Sequence, residues 1–485
     1  MVLFILFLIL AAPALAQSPA LSWGPTGAQL APTSSLKWGV VVAPDGAGGA
    51  VLAWEENRGR KMCCRDTRDL FLQRLDAAGK PLWGAADVRL AEEDSGEEIL
   101  GFAPAGNGGA LLLWHRGGRL RAQVVAGDGS RTLAEPGLVL REGEAPVEWY
   151  PYHGFAASAD GARCVVAWAE RAPGTASALR LLRFTRSGAG WRWEEPVTVA
   201  EDAGLHPSAV TASGTGWLAC WWLDRPAGAE LWGRQVGADG RPLGRAFLVG
   251  TEAGQTYLHA EAAPGGNAAW IAWSAVVPEN PTPTYAVHVA SVEGSRVRSA
   301  VAGQAKTQVL FIPSTHVLVG TSNGPPPTGI GQSATPEFVS WRRSSALLPS
   351  GRVGCVVAWL DGKAVRVCRV AVSGGKTAAG PAVSFGREVF NGFTPILLPG
   401  AKDDVSVCWS EKSGEDRYRI LRRRLAAGAG GLTTLGEDEV LAEEDGVSPR
   451  ACTAANIAPG MSVLAWTAVH RGEWGVVRAQ RLALP

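Results

Sequence analysis

Hydrophobic residues along this chain fall in short runs, four to eight long, broken by Gly-, Pro- and Asp-bearing turns. Many runs end on tryptophan. "GGAVLAW" ends at Trp54, "GGALLLW" at Trp114, "ARCVVAW" at Trp168 and "LACWW" at Trp222. "AAWIAW" ends at Trp273, "VGCVVAW" at Trp359, "DVSVCW" at Trp409 and "MSVLAW" at Trp466. Few segments carry the 3.6-residue period of a helix, so the pattern predicts strands. Each tryptophan run follows a turn and another short strand. A third strand, a second turn and a fourth strand come after it, as in "LFLQRLDAAGKPLWG" and then "VRLA". Four strands joined in sequence order form an antiparallel meander, which buries its faces only when copies stack.

Eight such units predict an all-β chain folded as a single β-propeller of eight four-stranded antiparallel blades. Seven blades would result if the eroded fifth or sixth unit failed to form. The tryptophan spacing is 50 to 60 residues except for the 86 between Trp273 and Trp359, so residues 304–339 are read as an insertion between blades five and six. The tryptophans are read as core: burying about 150–250 Å² of ring against the next blade yields a gross ~4–6 kcal/mol each.

Two stretches determine the closure. "LSWGPTGAQLA", residues 21–31, resembles "PLWGAADVRLA", residues 81–91, but has no strand and turn ahead of it. "VVRAQRLALP" ends the chain after a third strand. The N-terminal piece is therefore expected to supply the fourth strand of the last blade, which removes two exposed sheet edges at once.

The repeat resembles a unit of exported bacterial β-propellers with the pattern W-x-D-x-R followed by QRLD-x-x-G-x-PLWG. "GGAVLAW", "DTRDLFLQRLDAAGKPLWG" (residues 66–84) and "VVRAQRL" carry the likeness. It implies a secreted scaffold and assigns no catalytic residue. Residues 1–16, "MVLFILFLILAAPALA", read independently as a signal peptide cut before Gln17. The propeller domain is then 17–485, exported to the periplasm or the extracellular space. No later stretch is long and apolar enough to span a bilayer.

Charge and motifs narrow the chemistry. Forty-six Lys and Arg against 45 Asp and Glu give a net charge of +1, with no footprint for nucleic acid. "GTSNG" places Ser322 in a G-x-S-x-G pattern, but Pro325, Pro326 and Pro327 forbid the helix that a nucleophile elbow needs. No cofactor is expected, and no loop carries the ligand spacing that would predict a divalent cation.

In "CVVAWLDGKAVRVC" a turn at Asp361-Gly362 would set Cys355 opposite Cys368, predicting a cross-strand disulfide. Cys164, Cys220 and Cys408 read as small buried hydrophobes.

Loops from second to third strands and from fourth strands to the next blade emerge on one face, and the long ones all use it. That face and the channel mouth beneath it are the expected binding region. By register the nearest candidates at the mouth are Glu98, His153, His206, His259, Arg342 and Arg450. The expected function is a non-enzymatic, monomeric scaffold that binds a protein or carbohydrate there. The alternative is a glycoside hydrolase or lyase with its site at the mouth, which would need convergent carboxylates or a His/Arg/Tyr set.

Overall fold

The computed structural model describes residues 23–483 apart from 25–26, 31–34, 58–67, 85–86, 92–97, 117–118, 134–136, 142–154, 158–161, 172–175, 189, 254–259, 278–283, 307–317, 321–338, 342–344, 351–353, 390–394, 401–402, 429 and 471–473. Eight antiparallel sheets follow one another as blades, with their strands in chain order from the centre outward in all but the last. Their first strands are Leu36–Pro44, Glu98–Gly106, Phe155–Ala157, Leu205–Ser213, Ala260–Gly265, Ser345–Ser350, Ile396–Pro399 and Val447–Ala458. Each first strand touches the next, and the eighth touches the first, so the ring is closed. The seven-blade alternative is excluded, because the fifth and sixth units both form sheets. Between blades five and six, Leu318–Gly320 pairs with Val339–Trp341 as a separate ribbon that extends past the expected end of the insertion at 339, while residues 304–305 belong to the strand Arg296–Ala305.

The last blade is composite, as expected. Ala28–Leu30 pairs antiparallel with Trp474–Ala483, with Ala28 opposite Ala479 and Leu30 opposite Val477. The repeat motif explains how this strand is held. In blade one the buried Gln73 accepts a hydrogen bond from the Trp83 backbone N–H (3.1 Å) and donates to the Gly84 carbonyl (3.2 Å). In blade eight Gln480 does the same to Trp23 (3.3 Å) and Gly24 (2.6 Å). The two indoles then reach forward into the next blade: Trp83 donates to Gly127 O (2.9 Å) and Trp23 to Ala77 O (3.1 Å). The arginine after each glutamine joins the same carbonyl, Arg74 at 3.0 Å and Arg481 at 2.8 Å. Gly79 must be glycine: its φ is +82°, and a Cβ there would lie 2.7 Å from the Trp23 ring. The Gln-Arg and Trp-Gly pairs of the repeat are thus the two halves of a staple between blades.

That staple also accounts for a departure from the expected short turns. In blades one and two, residues 76–87 and 126–137 separate the third and fourth strands. The glutamine holds this arm outside the ladder, with single bridges at Leu75–Pro81 and Val125–Arg131.

All eight tryptophans lie in second strands and are at most 2% exposed. Seven pack toward the preceding blade, as Trp409 does against Val356, Ala358 and Leu360. Blade four differs. There Trp221 faces blade three, beside Val165 and Ala167, while Trp222 faces blade five, beside Ile271 and Trp273. Side chains alternate along a strand, so the doubled tryptophan fills both interfaces, and Trp221 holds the repeat position.

The expected Cys355–Cys368 disulfide is not formed. Gly362, with φ +62°, and Lys363 make the turn, so Asp361 pairs with Ala364. A two-residue turn with glycine first is the type II′ geometry that suits strand twist. It moves Cys355 opposite Val370 and Cys368 opposite Val357, leaving the two as diagonal neighbours with free, buried thiols. Cys164, Cys220 and Cys408 are buried and free, as expected. Cys63, Cys64, Ser322 and the signal segment lie outside the described residues.

Candidate functional site

First strands enter the ring from the face that carries the long connections, so their opening residues rim the channel mouth. Bulges interrupt four of them there: between Trp38 and Val41, Ile99 and Gly101, Pro207 and Ala209, and Arg450 and Thr453. A bulge re-aims neighbouring side chains, and bulges cluster near functional sites. Glu98 pairs with His115, His206 with Trp222 and Arg450 with Thr467. Each partner directly follows the interface tryptophan of its blade (Trp114, Trp221 and Trp466), so three of the six expected rim residues share one level.

They stand on blades two, four and eight. His206 lies flat on Trp222, with ring centroids 4.0 Å apart and planes at 11°, and so belongs to the wall facing blade five. His153, His259 and Arg342 lie outside the described residues. Among the described residues no group of three or more His, Cys, Asp or Glu is placed to hold a metal ion.

The structure adds a charged set at the same mouth that sequence reasoning missed. Lys37, 1% exposed, places Nζ 2.9 Å from Ser35 Oγ and 3.4 Å from Glu56 Oε2. The Ser35 hydroxyl donates to Glu56. Burial pulls the Lys37 ammonium below its usual range, while Glu56 works against that. Nearby, burial lifts Asp87 to about 6, opposed by the Gln73 amide at 3.2 Å and reinforced by the Glu56 charge. The Gly475 N–H donates to Ser35 O (3.3 Å), so the set sits on the seam with the clasped blade. Its signal was the register that sets Lys37 opposite Glu56.

A second recurring set lies between blades: an acid that takes the indole N–H of the interface tryptophan and a cation from the third strand. Glu170 accepts from Trp168 (3.4 Å) and pairs with Arg180 (3.1 Å). Glu411 accepts from Trp409 and from Arg419, both at 3.0 Å. Burial would raise the Glu411 pKa, but the bonds from Trp409, Arg419 and the Arg387 backbone outweigh it and hold it low. At the seam of blades four and five the acid is Glu252, 2.9 Å from the Trp273 indole and 3.6 Å from His288. The acid recurring two residues after the tryptophan is, in blades three and seven, the indole's acceptor.

No family model matches the chain, and no curated protein matches it. Among solved structures it is similar to prolyl oligopeptidase B from Galerina marginata, at 10% identity and TM-score 0.41, covering 93% of this chain and 56% of that one. The WD40 domain of SCAP from fission yeast gives 7% identity and TM-score 0.42 over 93% and 97% of the two chains. A protein of unknown function from Dyadobacter fermentans gives 11% identity and TM-score 0.34 over 69% and 94%. The chain spans about half the length of the oligopeptidase it matches. At such identities and TM-scores nothing about activity follows.

Proposed function

We propose that the protein is an exported binding scaffold that engages a protein or glycan through the face bearing its long connections. The reading rests on the unequal lengths of the two faces' connections. On the proposed face, residues 58–67, 142–154 and 386–395 separate consecutive strands, and 306–344 separate blades five and six. On the other, first and second strands are joined by connections such as 107–108, 214–215 and 266–267. Its two longer arms, 76–87 and 126–137, are bound down by Gln73 and Gln123. Stability favours short loops on both faces equally, so length retained on one face points to contact with a partner. The bulged first strands beneath that face would shape the floor of the site.

The test replaces 306–344 with a short Gly-Ser turn. A surface segment that adds little core should leave the melting temperature within about 2 °C of wild type. Binding on a glycan array, or to proteins cross-linked in the envelope and medium of the producing cell, should disappear. A folded, trimmed protein that keeps every partner would place the binding surface elsewhere.

A further inference from the structure

Blade two carries two parts of the acid, tryptophan and cation set and lacks the third. Trp114 stands directly opposite Arg121, as Trp168 stands opposite Arg180 in blade three. Where blade three has Glu170, two residues after its tryptophan, blade two has Arg116. Among the described residues the Trp114 indole N–H and Nε and Nη1 of Arg121 are buried without a hydrogen-bond partner. The indoles of Trp54 and Trp359 are unpartnered too, although Glu56 and Asp361 follow them, so what sets blade two apart is the guanidinium that lies beside the indole with no acid. Arg121 is 6% exposed and Trp114 fully buried. A guanidinium withdrawn from water without an acceptor is among the least favourable arrangements a core can hold.

Two orphaned donors side by side, one of them charged, define the complement they lack. In blade seven the group between the indole N–H and the cation is a carboxylate that accepts from both, and in blade three a carboxylate accepts from the indole and forms an ion pair with the arginine. We propose that the seam between blades one and two is an anion site that takes a small carboxylate between Trp114 Nε1 and the Arg121 guanidinium. Blade one lines the seam with Leu70, Leu72 and Leu90, and the buried Glu55 carboxylate there is already engaged by the Ile99 N–H at 2.9 Å; the ligand class is a short monoanion such as formate or acetate. Arg121 lies near the start of the strand Arg119–Val125, just below the face proposed for partner binding, and a small ion has its shortest route from there. The site does not depend on the partner-binding role.

The experiment follows thermal unfolding of the whole mature protein while sodium acetate replaces sodium chloride at constant ionic strength. At about 100 times its Kd, acetate should raise the melting temperature by about 3 °C. Arg121→Leu should abolish the acetate response. Arg116→Glu rebuilds the set of blades three and seven, and should melt above wild type in chloride and lose the acetate response. This second variant decides the matter if Arg121→Leu fails to fold. A wild type indifferent to acetate, or an Arg116→Glu protein that responds like wild type, overturns the proposal. An equal response to formate, acetate and added chloride makes the site one for an adventitious ion only and overturns its carboxylate character.

Discussion

The side chain of Gln480 grips the backbone of Trp23 across 457 positions of chain, and by the same two hydrogen bonds with which Gln73 grips Trp83 ten residues away. The ring is therefore closed by the repeat's own internal staple rather than by a special device. Trp23 is buried with Leu30, Trp54 and Val477, so the clasp joins the core of the seam.

Gln480→Ala should strip the Trp23 N–H and the Gly24 carbonyl of their partners and cost about 2–3 kcal/mol. Gln480→Glu keeps one acceptor and should fall between that variant and wild type. Denaturant unfolding of the three proteins checks the order. Deleting 17–31 should cost more and expose the edge of Trp474–Ala483 to aggregation.

Asp87 offers a pH signature. Its folded pKa, about 6, lies above the ordinary 3.8, so the folded state holds a proton that the unfolded chain releases. Stability from this group is fully present below about pH 4 and falls as pH rises toward 6. Asp87→Asn keeps a polar partner for Gln73 and removes the penalty. It should stabilise at pH 7.5 by about 1–2 kcal/mol, allowing for solvent screening, and make no difference at pH 3.5. Melting curves at the two values give the comparison.

Glu411 should behave in the opposite sense. Its carboxylate is held below the usual range, so its contribution is complete above about pH 4.5 and is lost as pH falls through the depressed folded value. Glu411→Gln should flatten the acid limb of the stability profile, which wild type and variant titrated side by side would reveal.

The cysteines of blade six should be unreactive when folded. Burial pushes Cys355 well above the usual thiol range and Cys368 to about 11, so neither supplies thiolate near neutrality. Iodoacetamide at pH 8 should modify both only after denaturation, read by peptide mass. A peptide pair linked through the two would contradict the register described above.

The blade count and the closing strand were legible because tryptophan spacing and turn residues recur in one dimension. The role of Gln73 and Gln480 was not, since a conserved-looking "QRL" says nothing about which backbone it meets. The Cys355 register failed by one position in the turn: glycine was placed second, whereas Asp361 keeps an ordinary φ and pairs with Ala364, so Gly362 opens the turn. The doubled Trp221-Trp222 defeated alignment for a related reason, because only side-chain alternation in a real sheet tells which ring takes which interface. At the mouth, the pairing of His206 with Trp222 was not legible, because it needed the bulge at Ser208 to be seen.

Joining the first strand of the chain to the last also fixes an order in time. At roughly 5–20 residues per second, about 20–90 s of synthesis separate the emergence of Trp23 from that of Gln480. During that interval the blades between can form by local hairpins, while the opening strand has no partner to receive it. The strand made earlier is seated later, so ring closure can be no faster than synthesis of Trp474–Ala483, whatever the speed of the individual blades.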